Sequence, residues 1–115
     1  MTKDWTLYAL HILDCTAKIR RIVTSGLITE DDILYDAVLR NLQTLSEATQ
    51  HLPEDKIRKQ PQIPWKEIRG FRNILVHDYL GEIDSQTVLN VIKIHLAPLE
   101  IAIRNMLEQE KTDEH

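Results

Sequence analysis

Apolar residues recur along this chain every three or four positions, and no segment shows the strict alternation of a half-buried strand. A period near 3.6 marks amphipathic helices, so the pattern restricts the fold to an all-α one. Trp5, Tyr8, Ile12, Cys15, Ile19 and Ile22 form one stripe and predict a helix over residues 4–24, closed by Gly26. A second helix is expected from Thr29. Thr29 and Asp32 have capping-box spacing, and Glu30-Asp31-Asp32 suits a positive helix N-terminus. Its stripe is Leu34, Val38, Leu42, Leu45 and Leu52, flanked by Ala37 and Ala48, and Pro53 stops it. A short helical turn and a loop come next, over residues 53–63. Pro64 fits the first position of a third helix running to Gly81. Asp84 then caps a last long helix with Val88, Ile92, His95, Leu99, Ala102 and Met106 on one face. Pro98 inside it should kink it or split it in two. "EQEKTDEH" has the composition of a fraying polar tail. The expected architecture is an antiparallel bundle of four main helices plus a short helical turn.

The 115 residues suit a single domain, taken as residues 1–110 with a polar tail at 111–115. No apolar run is long enough to span a membrane, and Asp4 interrupts any signal-peptide core, so a cytoplasmic protein is the expectation. Cys15 is the lone cysteine, which excludes an intrachain disulfide and a cysteine-based zinc site. Its place within an apolar stripe predicts a buried, inert thiol. A formal net charge of −4 does not advertise nucleic-acid binding. The charge is uneven, however. Lys56, Arg58, Lys59, Lys66, Arg69 and Arg72 stand against one acid, Glu67, within residues 56–72. Such a patch attracts phosphate, and it also fits a solvated helix face.

The stretch "FRNILVHDY", residues 71–79, places an arginine and a histidine in an apolar setting. On a helical wheel at about 100° per residue, Trp65, Ile68, Phe71, Leu75 and Tyr79 define an apolar face. Lys66, Arg69, Asn73 and His77 form a polar stripe. Arg72 falls on the apolar face, so its guanidinium needs a carboxylate, a carbonyl, an anion or a subunit interface. Arg72 and His77 are separated by about 140° and about 7.5 Å on a regular helix. They converge only if the helix loosens or a second subunit brings its own copy. Imidazole and guanidinium together suffice for metal-free RNA cleavage. Histidine moves protons near neutral pH, and arginine stabilises phosphoryl oxygens.

The pattern Arg72-x4-His77-x-Tyr79, with Asn73 after the arginine, resembles the HEPN superfamily and the HepT-like toxins within it. "AVLRNLQTLSEATQHLP", "PQIPWKEIRGFRNILVHDYLGEID" and "VLNVIKIHLAPLEIAI" are similar to that family in the same order, from about residue 5 to residue 107. The resemblance implies a HEPN-type helical homodimer whose Arg–His motifs line a cleft at the dimer interface. It implies a metal-independent endoribonuclease toxin with no cofactor, acting on RNA, with tRNA among the candidate substrates. It also implies a cognate minimal nucleotidyltransferase antitoxin that neutralises the toxin by transferring AMP to the motif tyrosine. Carried over, Arg72 and His77 are catalytic, Asn73 is supporting, and Tyr79 is the AMPylation acceptor. Asp78 adds a negative charge beside the proposed cleft, and the acidic balance favours a narrow substrate over avid general RNA binding.

Two rival readings frame this one. His77-Asp78 also matches the "HD" of metal-dependent phosphohydrolases, but no upstream histidine pairs with it. His11 and His51 have no partner at metal-ligand spacing. The other rival is a catalytically inactive HEPN module that only binds a nucleotidyltransferase partner or a nucleotide. His95 is expected to be a hydrogen-bonded core histidine. Arg40, Asn41 and Glu47 on the second helix are candidates to enter the cleft, since the family stretch covers them, and a structural salt bridge between helices is the plainer expectation.

Overall fold

A computed structural model describes residues 4–71 and 84–113. Every regular element among them is helical: α1 (Asp4–Ser25), α2 (Asp32–Thr49), α3 (Glu54–Arg58), α4 (Trp65–Arg69) and α5 (Ser85–Asp113). The all-α fold is therefore observed. The third expected main helix is described only as far as Phe71.

The buried face of α1 comprises Trp5, Ala9, Ile12, Cys15, Thr16 and Ile19, with Tyr8 and Ile22 half-buried beside it. It ends before Gly26, where a β-carbon would lie 2.7 Å from Leu34 Cδ1 of α2. Tyr8 at the start of α1 stacks on His51 just past the end of α2, with ring centroids 3.9 Å apart and planes 6° apart. These two contacts, one at each end, show that α1 and α2 run antiparallel. Arg20 of α1 reaches Glu100 of α5 at 3.0 Å.

The second helix starts two residues later than its capping-box spacing suggests, with the cap at Asp31 and not Thr29. Leu27 O accepts from the amides of Glu30 and Asp31, both at 3.0 Å, so Thr29 sits in a turn. Asp31, extended at φ −127° and ψ 105°, is the actual cap. Its carboxylate accepts from Ile33 N and Leu34 N, at 3.0 and 3.2 Å. Pro64 likewise caps α4 from outside and is not its first residue. Its φ −78° and ψ 73° are not helical. Trp65 N–H closes a three-residue turn onto Ile63 O at 2.9 Å.

Pro98 does not split α5, which runs unbroken for 29 residues. Proline removes the donor that would reach the carbonyl of Ile94. Both residues are exposed, so water can satisfy that carbonyl. Residues 108–113 continue the helix where their composition suggested a frayed tail. Glu110 is the reason: it is 5% exposed and pairs with Lys56 at 3.1 Å. The core is one cluster joining α1, α2 and α5 with Ile57, Ile63, Trp65, Ile68 and Phe71.

Candidate active site

Arg72, Asn73, His77 and Tyr79 lie outside the described residues, as does Asp78. The structure describes how the chain enters and leaves that segment. The entry is α4, a single helical turn. Trp65 and Ile68 bury its inner face, and Trp65 Nε1 donates to Gln60 O at 3.0 Å. The turn closes at Gly70, whose N–H donates to the carbonyls of both Lys66 and Glu67 at 3.1 Å. Phe71, 7% exposed, carries the chain to Arg72. The exit is Asp84, whose carboxylate caps α5 by accepting from Thr87 N at 2.8 Å and Thr87 Oγ1 at 2.9 Å. Those bonds hold the Asp84 carboxyl below the ordinary carboxylate range.

Three elements hold the entry. From α2, Ser46 Oγ donates to the carbonyl of Arg69 at 2.8 Å. From α3, Glu54 Oε1 meets Arg69 Nη2 at 3.3 Å. From α5, the His95 ring lies 6.5 Å from that of Phe71, tilted by 51°. His95 Nε2 stands 3.9 Å from Glu67 Oε2, and its side chain is 23% exposed. His95 is thus a partly exposed histidine bridging α5 and α4, not the enclosed core histidine expected from its stripe.

The basic patch is smaller than its residue count suggests. Lys56 is committed to Glu110 and Arg69 to Glu54. Both acids lie outside the 56–72 window, so a count along the chain cannot find them. Arg58, Lys59 and Lys66 remain exposed. Lys56 and Lys59 also line an open cleft of about 430 Å³ with Gln60, Asn105, Met106 and Gln109.

The other candidates have ordinary roles. Asn41 Nδ2 donates to Ala37 O at 2.9 Å, and Glu47 accepts from Gln43 at 3.3 Å, both within α2. Among the described residues neither Arg40 nor Glu47 forms an inter-helix ion pair. Cys15 is 2% exposed. Burial, then the nearby Asp14 charge, pushes its thiol above the ordinary value, in keeping with an inert cysteine. No group of His, Cys, Asp and Glu among the described residues could hold a metal ion. No helix among them is long and apolar enough to cross a membrane. The residue that pattern reading missed is Ser46. Its only signal was its place on the buried face of α2, between Leu42, Leu45 and Thr49.

Comparison with known proteins agrees with this architecture. Residues 12–106 match the family described as "Ribonuclease HepT-like". The chain belongs to the HepT-like family. A protein of Caldanaerobacter subterraneus named "Putative RNase TTE0752" is 32% identical over 107 residues, covering 90% of this chain and 95% of that one. "Gamma-glutamylcyclotransferase and putative RNase MJ0434" of Methanocaldococcus jannaschii is 33% identical over 114 residues, which is 95% of this chain and 50% of that one. "Probable ribonuclease HepT" of Thermococcus cleftensis is 34% identical over 75 residues, 61% of this chain and 67% of the other. No solved structure matches. This HepT-like chain carries Arg72, His77 and Tyr79 inside the matched span.

Proposed function

We propose that this chain is a HEPN-type, metal-independent ribonuclease acting as the toxin of a toxin–antitoxin pair. The observation that carries the reading is the family match over residues 12–106, which contains Arg72-x4-His77-x-Tyr79. The ribonuclease names of the relatives support it. In the proposed reaction a ribose 2′-oxygen attacks the adjacent phosphorus as it loses its proton. The phosphorus–5′-oxygen bond breaks and the leaving oxygen takes up a proton. The products are a 2′,3′-cyclic phosphate and a 5′-hydroxyl. His77 transfers protons near neutral pH, Arg72 stabilises the charged phosphoryl oxygens, and Asn73 supports them. A homodimer brings two copies of the motif to one cleft.

Tyr79 is the proposed switch. Its hydroxyl is the only side-chain hydroxyl between residues 50 and 84. A minimal nucleotidyltransferase partner joins the phenol oxygen to the α-phosphorus of ATP. Pyrophosphate leaves and the phenol proton is lost. The attached AMP brings negative charge to a cleft that must admit phosphate, and RNA is excluded.

The test is cleavage of RNA by the purified chain in excess chelator. Cyclic phosphate ends are expected, and Arg72→Ala or His77→Ala should abolish them while the oligomeric state persists. Co-expression with the nucleotidyltransferase should raise the chain mass by whole AMP units and silence the parent. Tyr79→Phe should cleave but escape neutralisation. Cleavage that needs an added divalent ion would instead favour metal-dependent hydrolysis. A chain that cleaves nothing but still binds its partner would be the inactive HEPN module.

A further inference from the structure

We propose that Ser46 is a positioning residue for the candidate active site: its hydroxyl holds the Arg69 carbonyl and so sets where the chain enters the Arg72 segment. The role rests on the proposed ribonuclease activity and belongs to a residue that acts through the backbone, not on the RNA.

The hydroxyl is unusual among its neighbours. Thr16, Ser46 and Thr49 are all buried. Thr16 and Thr49 bond back to their own helices, donating to Leu13 O at 2.8 Å and Ser46 O at 2.6 Å. That is the easy option for a hydroxyl inside a helix. Ser46 is fully buried, yet it donates to a carbonyl 23 positions away, in another helix. Its partner is the last residue of α4, where helical carbonyls lack partners within the helix. Ser46 supplies a donor to that carbonyl from a second helix.

The placement bears on chemistry because Arg69 lies three residues before Arg72. Only Gly70 and Phe71 separate the end of α4 from Arg72. The Ser46 bond fixes the main chain of α4 to α2, a helix of 18 residues packed into the core. Arg69's side-chain bond to Glu54, by contrast, involves a 63%-exposed carboxylate and constrains less. Rates of positioned reactions respond steeply to displacement, with a misplacement of about 1 Å costing about a hundredfold. Loss of the hydroxyl should therefore cost turnover out of proportion to its effect on folding.

The experiment compares four proteins on one RNA substrate: the parent, Ser46→Ala, Ser46→Thr and Ile19→Val. Ile19 is a fully buried residue of α1, and trimming one of its methylene carbons loosens the core without touching the Arg69 carbonyl. All are assayed well below the lowest unfolding midpoint. Ser46→Ala should lower kcat by about 10- to 100-fold with KM within about twofold. Ser46→Thr, which restores the donor, should recover most of kcat, and Ile19→Val should keep the parent rate. If the added methyl unfolds Ser46→Thr, the comparison of Ser46→Ala with Ile19→Val decides alone. A kcat for Ser46→Ala within twofold of Ile19→Val overturns the positioning role and leaves the ribonuclease reading intact. A parent that cleaves no RNA overturns both.

Discussion

Replacing Lys56 with methionine should destabilise the protein strongly at pH 7 and much less at pH 5. The Lys56 ammonium lies 3.1 Å from Glu110 Oε2, and the two side chains are 11% and 6% exposed. Methionine keeps the apolar stem and removes the charge. The Glu110 carboxylate then stays buried without this ammonium, a loss that costs about 3–5 kcal/mol in comparable pairs. Protonation sets a ceiling on that cost. Neutralising a carboxyl of ordinary acidity at pH 7 costs about 3.7 kcal/mol, and at pH 5 about 1 kcal/mol. Lys56 Nζ also lies 5.6 Å from the centroid of the Trp5 ring, which adds a pH-independent loss of about 0.5–1 kcal/mol. The expected deficit is therefore about 4 kcal/mol at pH 7 and about 2 kcal/mol at pH 5. The sign comes from linkage. The folded variant takes up a proton that its unfolded chain does not, so acidification stabilises it relative to the parent. Urea denaturation of parent and variant at both pH values measures this, provided the denaturant slopes agree. A deficit under about 1 kcal/mol at pH 7, or one that does not shrink on acidification, would refute the buried-pair reasoning.

Asp31→Ala should cost about 0.5–2 kcal/mol, because two amides of α2 lose their cap; calorimetry checks it. The Asp84 carboxyl is depressed by its bonds to Thr87. Its contribution to stability is thus present above the ordinary aspartate range and lost as pH falls through the depressed value. Asp84→Asn should flatten that part of an acid titration of stability, and an unchanged slope would count against the cap. Cys15 should react with thiol reagents at neutral pH only as fast as the chain unfolds; burst labelling of the folded protein would contradict its burial. Light scattering should give twice the chain mass of 13.4 kDa if the proposed homodimer forms, and a stable monomer would remove the shared cleft.

Periodicity located most of the core because burial on a helix repeats with the helix. Val38, Leu42, Leu45 and Ala48 of α2, and Val88, Ile92, Leu99, Ala102 and Met106 of α5, were all legible from spacing and are all buried. Boundaries were less legible. Thr29 and Asp31 both have the chemistry of a cap, and the turn accepted by Leu27 O decided between them. Pro98 carried a strong local signal for a break, yet the helix runs on, since its missing bond faces water.

Residue order alone sufficed for the helical class, the stripes that become the core, and the HepT-like pattern around Arg72 and His77. All three are properties of residues near one another along the chain, where spacing decides which side chains share a face. Packing in three dimensions chose which polar groups are spent on holding helices together. Glu54 and Glu110 neutralise two members of an apparent basic patch. Ser46 turns away from its own helix to hold Arg69. Those pairings join residues 15, 54 and 23 positions apart, from the exposed Glu54 contact to the buried Ser46 bond. A polar side chain in a low-dielectric interior must find a partner wherever the packing brings one. No local pattern announces which it will be.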